Sequence, residues 1–129
     1  MSDGEHPPAI MPMIRTIAMP SDANPNGDIF GGWLMSQMDL AAGNLASRVA
    51  HGRCVTVSVD AMNFIRPVKI GDEVTVYCEL MSTGRTSLNI NVEAWRRERA
   101  SEEDHRVTKA MFRFVAIDAE GRPRPVKPE

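Results

Sequence analysis

The chain is sparing with the groups that usually announce chemistry, having two cysteines and three histidines in 129 residues. Cys54 and Cys78 lie in alternating, strand-like text outside any CxxC pair or Cys/His cluster, so no metal site is expected and both read as buried free thiols. His6, His51 and His105 fall in a terminal segment, at a helix end and in a charged loop, where solvated surface roles are expected. No GxSxG elbow, HExxH helix, GxxxxGKS/T loop or GxGxxG turn is present, which argues against a covalent serine or metal mechanism. Charge of one sign is also lacking: 15 Lys and Arg face 17 Asp and Glu, a formal net charge of -2. Nothing here marks a nucleic-acid partner or an anionic membrane surface, and any anionic ligand has to meet local positive groups. No apolar run is long enough to cross a bilayer, and the opening MSDGEHPPAIMP is not built like a secretory leader. A cytoplasmic protein without membrane insertion is expected.

What is present suits one ordinary globular domain, with 43% hydrophobic and 25% charged residues and too little length for a second core. Residues 1–12 and 120–129 are rich in proline and charge without apolar periodicity, so they read as poorly ordered tails around a domain spanning 13–119. After an extended piece at Met13 to Met19, the stretch PSDANPNGD has to be a loop. From Gly31 to Ala50 there is no proline, and Leu34, Met38, Ala41, Leu45 and Val49 form an apolar stripe of helical period. His51-Gly52 ends this helix, with the glycine expected in the left-handed cap.

Everything beyond alternates with the period of a strand. Val55, Val57 and Val59 oppose Thr56, Ser58 and Asp60; further strands run over 73–81, through Leu88 to Ala94, and over 107–117, with Gly84-Arg85 as a turn and RRERASEEDHR as a solvated connection. The pattern predicts an α+β domain, one long helix covered by a curled antiparallel sheet of about five strands. Such a sheet leaves edges unpaired and helix uncovered, so at least a homodimer is expected.

Asp39 interrupts this otherwise apolar helix, sharing a stripe with Ser36 and Gly43 so that small residues flank the acid. A functional carboxylate and an acid hydrogen-bonded across a subunit interface account for it equally well. A second feature is the helix start, IFGGW, where Gly31 and Gly32 leave the first N–H groups unobstructed at the positive end of the helix dipole, a place suited to a developing oxyanion. Close packing against a strand also explains a glycine pair. Gly32 and Asp39 are seven residues apart, on the order of 10 Å along one helix at about 1.5 Å per residue, too far to act on one carbonyl carbon. If both are catalytic, the acid comes from a second, antiparallel helix, and the site is shared between subunits.

The residues NPNGDIFGGWLMSQMDLAAGNLA, with VTVSVDAMNFIRPVKIGD and TGRTSLNINVEAW further on, closely resemble the YciA-type acyl-CoA thioesterases of the hotdog-fold superfamily over roughly Arg15 to Asp118. The resemblance implies hydrolysis of fatty acyl-CoA thioesters to the acid and CoA, with no cofactor beyond the CoA of the substrate itself. It implies Asp39 as the essential carboxylate, Gly32 as amide donor to the thioester carbonyl, and Asn24 in the preceding loop as a third catalytic residue. Gly31 and Trp33 are implied beside the substrate, Arg85, Thr86 and Ser87 near CoA phosphate, and Arg66 as a further candidate. A trimer of dimers is implied as the assembly.

Three rivals are weighed. Hotdog dehydratases need a histidine paired with an acid, and the helix and its preceding loop have none. An acyl-CoA sensor binds without turnover but usually carries a DNA-binding segment. A pure interaction module uses Asp39 only to fix dimer register.

Overall fold

The computed structural model describes residues 5–127. The strand β1 (Ile14–Ile17) leads through a short 3-10 turn at Pro20–Asp22 into the helix α1 (Gly31–Ala50). Four strands follow: β2 (Cys54–Asp60), β3 (Glu73–Thr83), β4 (Ser87–Arg97) and β5 (Asp104–Ala116). They form one antiparallel sheet in the order β1-β3-β4-β5-β2, so β1 and β2 are its edges.

The helix lies on one face of this sheet, touching β2, β3, β4 and β5. Leu34, Met38, Ala41, Ala42, Ala46 and Ala50 are its buried residues, and they meet Val74, Val76, Leu88, Ile90, Phe112 and Phe114 in a single core. Four of the six are alanines, which let the backbone approach the sheet closely. Leu45 and Val49 are only half-buried, so the contact stripe leans toward the alanines rather than following the larger side chains.

Three expectations change on contact with the structure. The residue in the left-handed cap is His51 (φ 54°), not Gly52. Gly52 instead leaves room for the Arg124 guanidinium, which a Cβ there would meet at 2.5 Å unless the arginine shifted. That arginine belongs to the segment expected as a C-terminal tail. It donates to the carbonyls of Ala50 (3.0 Å) and Ile117 (3.0 Å), placing a cation at the negative end of the helix dipole, and Val126 beside it is buried. Residues 120–127 therefore pack onto the domain, while the expectations for residues 1–4 and 128–129 lie outside the described residues. The charged run 96–106 is also not all connection, since β4 runs to Arg97 and β5 starts at Asp104.

In β2 a bulge between Thr56 and Ser58 breaks the alternation. Val59 turns toward the core, whereas Val55 and Val57 stay exposed on an unpaired edge. Both cysteines carry free thiols. Burial pushes the Cys78 thiol up to about 12, and burial also raises Cys54, with Arg124 acting the other way. The folded state thus holds the Cys78 proton where the unfolded chain, with a thiol pKa near 9, releases it. The stability this contributes is complete below pH ~9 and lost as the pH rises toward 12. Dithionitrobenzoate at pH 8 is expected to modify Cys78 only on unfolding, and rapid labelling of native Cys78 would contradict this burial.

Candidate active site

The helix begins without a side-chain cap and has no acid in its first turn. The amides of Trp33 (3.1 Å) and Leu34 (3.3 Å) are already bonded to the Phe30 carbonyl, which leaves those of Gly31 and Gly32 as the donors at the positive end of the dipole. The two glycines differ in what surrounds them. A Cβ on Gly31 would touch the Phe64 ring at 3.4 Å, but one on Gly32 would meet nothing within 4 Å. Packing inside this chain therefore does not explain a glycine at 32. Trp33 is half-buried and packs against the core at the helix start.

Two turns on, Asp39 is half-buried, and its Oδ1 accepts a 2.6 Å hydrogen bond from the hydroxyl of Thr56 on β2. Gly32, Met35, Ser36, Asp39, Thr56 and Val59 line one open groove of about 350 Å³. Asp39 and Thr56 also stand at the head of a second hollow, of about 370 Å³, that continues past Gly43, Asn44, Ser47 and Cys54. Asp39 sits where the two meet. The Ser36, Asp39 and Gly43 stripe read from the helix period thus runs along two adjoining hollows between α1 and the β2 side of the sheet, which share Asp39 and Thr56. Thr56 was missed in the sequence, because a threonine alternating with valines is ordinary strand text; only the fold brings it to the acid.

Asn24 sits in the loop ahead of the helix, and its Oδ1 accepts from the amides of Asn26 (2.9 Å) and Asp28 (3.1 Å). The turn and the site roles are compatible, since with Oδ1 committed to the loop any ligand is met by Nδ2 as a donor.

The expected CoA contacts fall into two groups. Arg66 lines a pocket of about 210 Å³ with Phe30, Gly31, Leu34 and Phe64, and donates to the carbonyl of Arg106 (2.6 Å) near the start of β5. Arg85 and Thr86 lie in the β3–β4 turn and Ser87 opens β4; the Thr86 carbonyl accepts from the amide of Ala116 at the other end of β5. Arg106 and Ala116 are ten residues apart, on the order of 30 Å at about 3.4 Å per residue, so within one protomer the two groups do not converge. Arg85 is exposed, but Ser87 is buried with its hydroxyl accepting from Arg113 (3.4 Å), which takes it away from an incoming ligand. Among the described residues, no group of three or more His, Cys, Asp or Glu could hold a metal ion, and no helix is long and apolar enough to cross a membrane.

A single helix seated on a five-stranded antiparallel sheet that curls around it, with an uncapped glycine start and an outward carboxylate, is the arrangement of a hotdog domain. The thioesterase superfamily model matches residues 26–103, and the chain belongs to that superfamily. Within it, the chain is 52% identical to the acyl-CoA thioester hydrolase YciA of Escherichia coli K12 over 115 residues, covering 87% of each. Among solved structures it superposes on a hexameric thioesterase of Yersinia pestis with a TM-score of 0.88 at 46% identity, covering 95% of this chain and 99% of that one. A hexameric hotdog fold thioesterase of Campylobacter jejuni gives 0.83 at 36% identity, covering 90% of each.

Proposed function

We propose that this protein hydrolyses fatty acyl-CoA thioesters to the free acid and CoA, in an active site built from Gly32 of one subunit and Asp39 of another. The observation that carries it is one groove holding both an unobstructed helix N-terminus and a carboxylate held by Thr56, two features too far apart on one helix to share a carbonyl. An antiparallel second helix brings each N-terminus to the other's acid. The surface suits such a partner: Met35 (41%) and Leu40 (64%) are exposed on α1, as are Val55 (40%) and Val57 (51%) on the unpaired edge of β2. The hexameric relatives support a trimer of dimers.

In the reaction, the thioester carbonyl accepts from the Gly32 amide, so that charge developing on oxygen is met by a fixed donor at the positive end of the dipole. The Thr56 hydroxyl fixes Oδ1 of Asp39, leaving Oδ2 to take a proton from the attacking water or to attack the carbonyl carbon itself. Either way the C–S bond breaks, the CoA sulfur leaves and is protonated, and water supplies the new carboxylate oxygen. Asn24 Nδ2 assists as a second donor to the carbonyl or the water. No metal or organic cofactor takes part, and the free thiols fit a reducing, cytoplasmic setting.

The test is release of free thiol from short, medium and long acyl-CoA. Turnover supports the proposal; tight binding without turnover would replace it with a sensor. Arg85 meets a CoA phosphate as an exposed cation, so Arg85→Ala is expected to raise KM about tenfold, the equivalent of one charge-assisted contact, with kcat nearly unchanged in steady-state assays.

A further inference from the structure

Away from the groove, one carboxylate is held by two arginines drawn from distant parts of the chain. Glu5 Oε1 lies 3.2 Å from Arg66 Nη1, and Glu5 Oε2 lies 3.2 Å from Arg106 Nη2. The Glu5 side chain is only 18% exposed, whereas the arginines keep 28% and 31%. We infer that Arg66 and Arg106 form a phosphate-binding site, and that Glu5 occupies it as an internal substitute for the phosphate.

Two guanidinium groups, each taking a different oxygen of one acid, present the spacing by which arginine forks hold a tetrahedral oxyanion. The charge is mismatched, because two cations face one carboxylate. A phosphate monoester, carrying about -1.5 to -2 at neutral pH, matches the pair better. Lys109 borders the same hollow as Arg106 and is exposed, so a third cation stands beside a ligand placed there. Space is available on both sides: Arg66 borders the pocket with Phe30, Gly31 and Phe64, and Arg106 borders a second hollow of about 180 Å³ with Asn63, Ile65 and Thr108. A phosphorylated ligand placed on the pair has somewhere for its remaining atoms to go.

The occupant is also easily displaced. No residue from 5 to 12 is fully buried, so the segment carrying Glu5 has little apolar surface holding it in place. Release of Glu5 costs its other contacts as well as the two ion pairs, and an incoming phosphate remakes the pairs with more charge. The N-terminal segment therefore competes with the ligand and sets its apparent affinity.

Calorimetric titration of pyrophosphate into the full-length protein at constant ionic strength tests this without relying on the proposed activity. Glu5→Gln is expected to bind at least tenfold more tightly than wild type, and binding is expected to vanish when Arg66→Gln and Arg106→Gln are added. As a safeguard against misfolding, Glu5→Gln with Arg66→Lys and Arg106→Lys keeps the charge without the fork and is expected to bind several-fold more weakly than Glu5→Gln alone. Equal affinity of wild type and Glu5→Gln, or binding that survives loss of the fork, would overturn the site. A second arm rests on the acyl-CoA reading and identifies the phosphate. A KM lowered by Glu5→Gln for acyl-CoA but not for its 3′-dephospho analogue assigns the site to the substrate. Unchanged KM values, with pyrophosphate still bound in the presence of CoA, assign it to a separate phosphorylated ligand.

Discussion

Asp39→Ala is expected to lower kcat by about 10³-fold or more while the protein melts close to the wild-type temperature. The loss is large because, in the proposed mechanism, the carboxylate either activates water or forms the first bond to the carbonyl, and no neighbouring group substitutes for it. The stability cost is small because the acid is half-buried and gives up one hydrogen bond, from an exposed threonine, a change on the order of 1 kcal/mol. Asp39→Asn keeps the shape and the bond to Thr56, so it is expected to retain acyl-CoA binding without turnover. Thiol-release kinetics beside a thermal melt checks both, and near-wild-type hydrolysis by either variant would remove Asp39 from the mechanism.

The second large effect concerns a backbone group. Gly32→Pro deletes the proposed oxyanion donor at a first-turn position where a helix tolerates proline, because that N–H has no intrahelical acceptor. A Cβ at 32 meets nothing within 4 Å in this chain, so the variant is expected to fold. Loss of one oxyanion donor costs about 10²–10³ in kcat. Gly32→Ala keeps the amide and is expected to retain much more activity than the proline variant. Equal loss in both would mean that space rather than the donor matters at this position.

How much of this was readable beforehand follows from the kind of signal each feature leaves. The helix bounds, Gly31 and Ala50, came directly from an unbroken periodic stretch between a loop of turn formers and a stop, and the structure keeps them. The cap was misassigned because glycine is only the commonest left-handed residue, and here His51 takes that conformation one position earlier. The bulge in β2 left no mark, since Val-Thr-Val-Ser-Val alternates perfectly as text while the pairing with β5 slips by one residue. The packed C-terminal segment looked like a tail because backbone hydrogen bonds, one buried valine and Arg124 anchor it, and these leave no side-chain periodicity.

The site divided in the same way. Asp39 and Gly32 stood out because each violates its surroundings, an acid in an apolar helix and glycines at a helix start. Thr56 and the Glu5 bridge violate nothing locally and exist only through tertiary contact. The opposite placement of Arg66 and Arg85 likewise depends on sheet register, which no motif encodes.

The central claim is that each active site takes its oxyanion donor from one subunit and its acid from another, and co-expression of Asp39→Ala with Gly32→Pro tests it most directly. Each variant alone is expected to keep about a hundredth of wild-type activity or less. In a mixed pair, one site collects both defects and the other receives an intact Gly32 and an intact Asp39. Random pairing makes half the pairs mixed, with one working site of two, so about a quarter of wild-type activity is expected to return. No recovery, with mixed oligomers demonstrated by differential tagging, would mean that both groups act within one subunit.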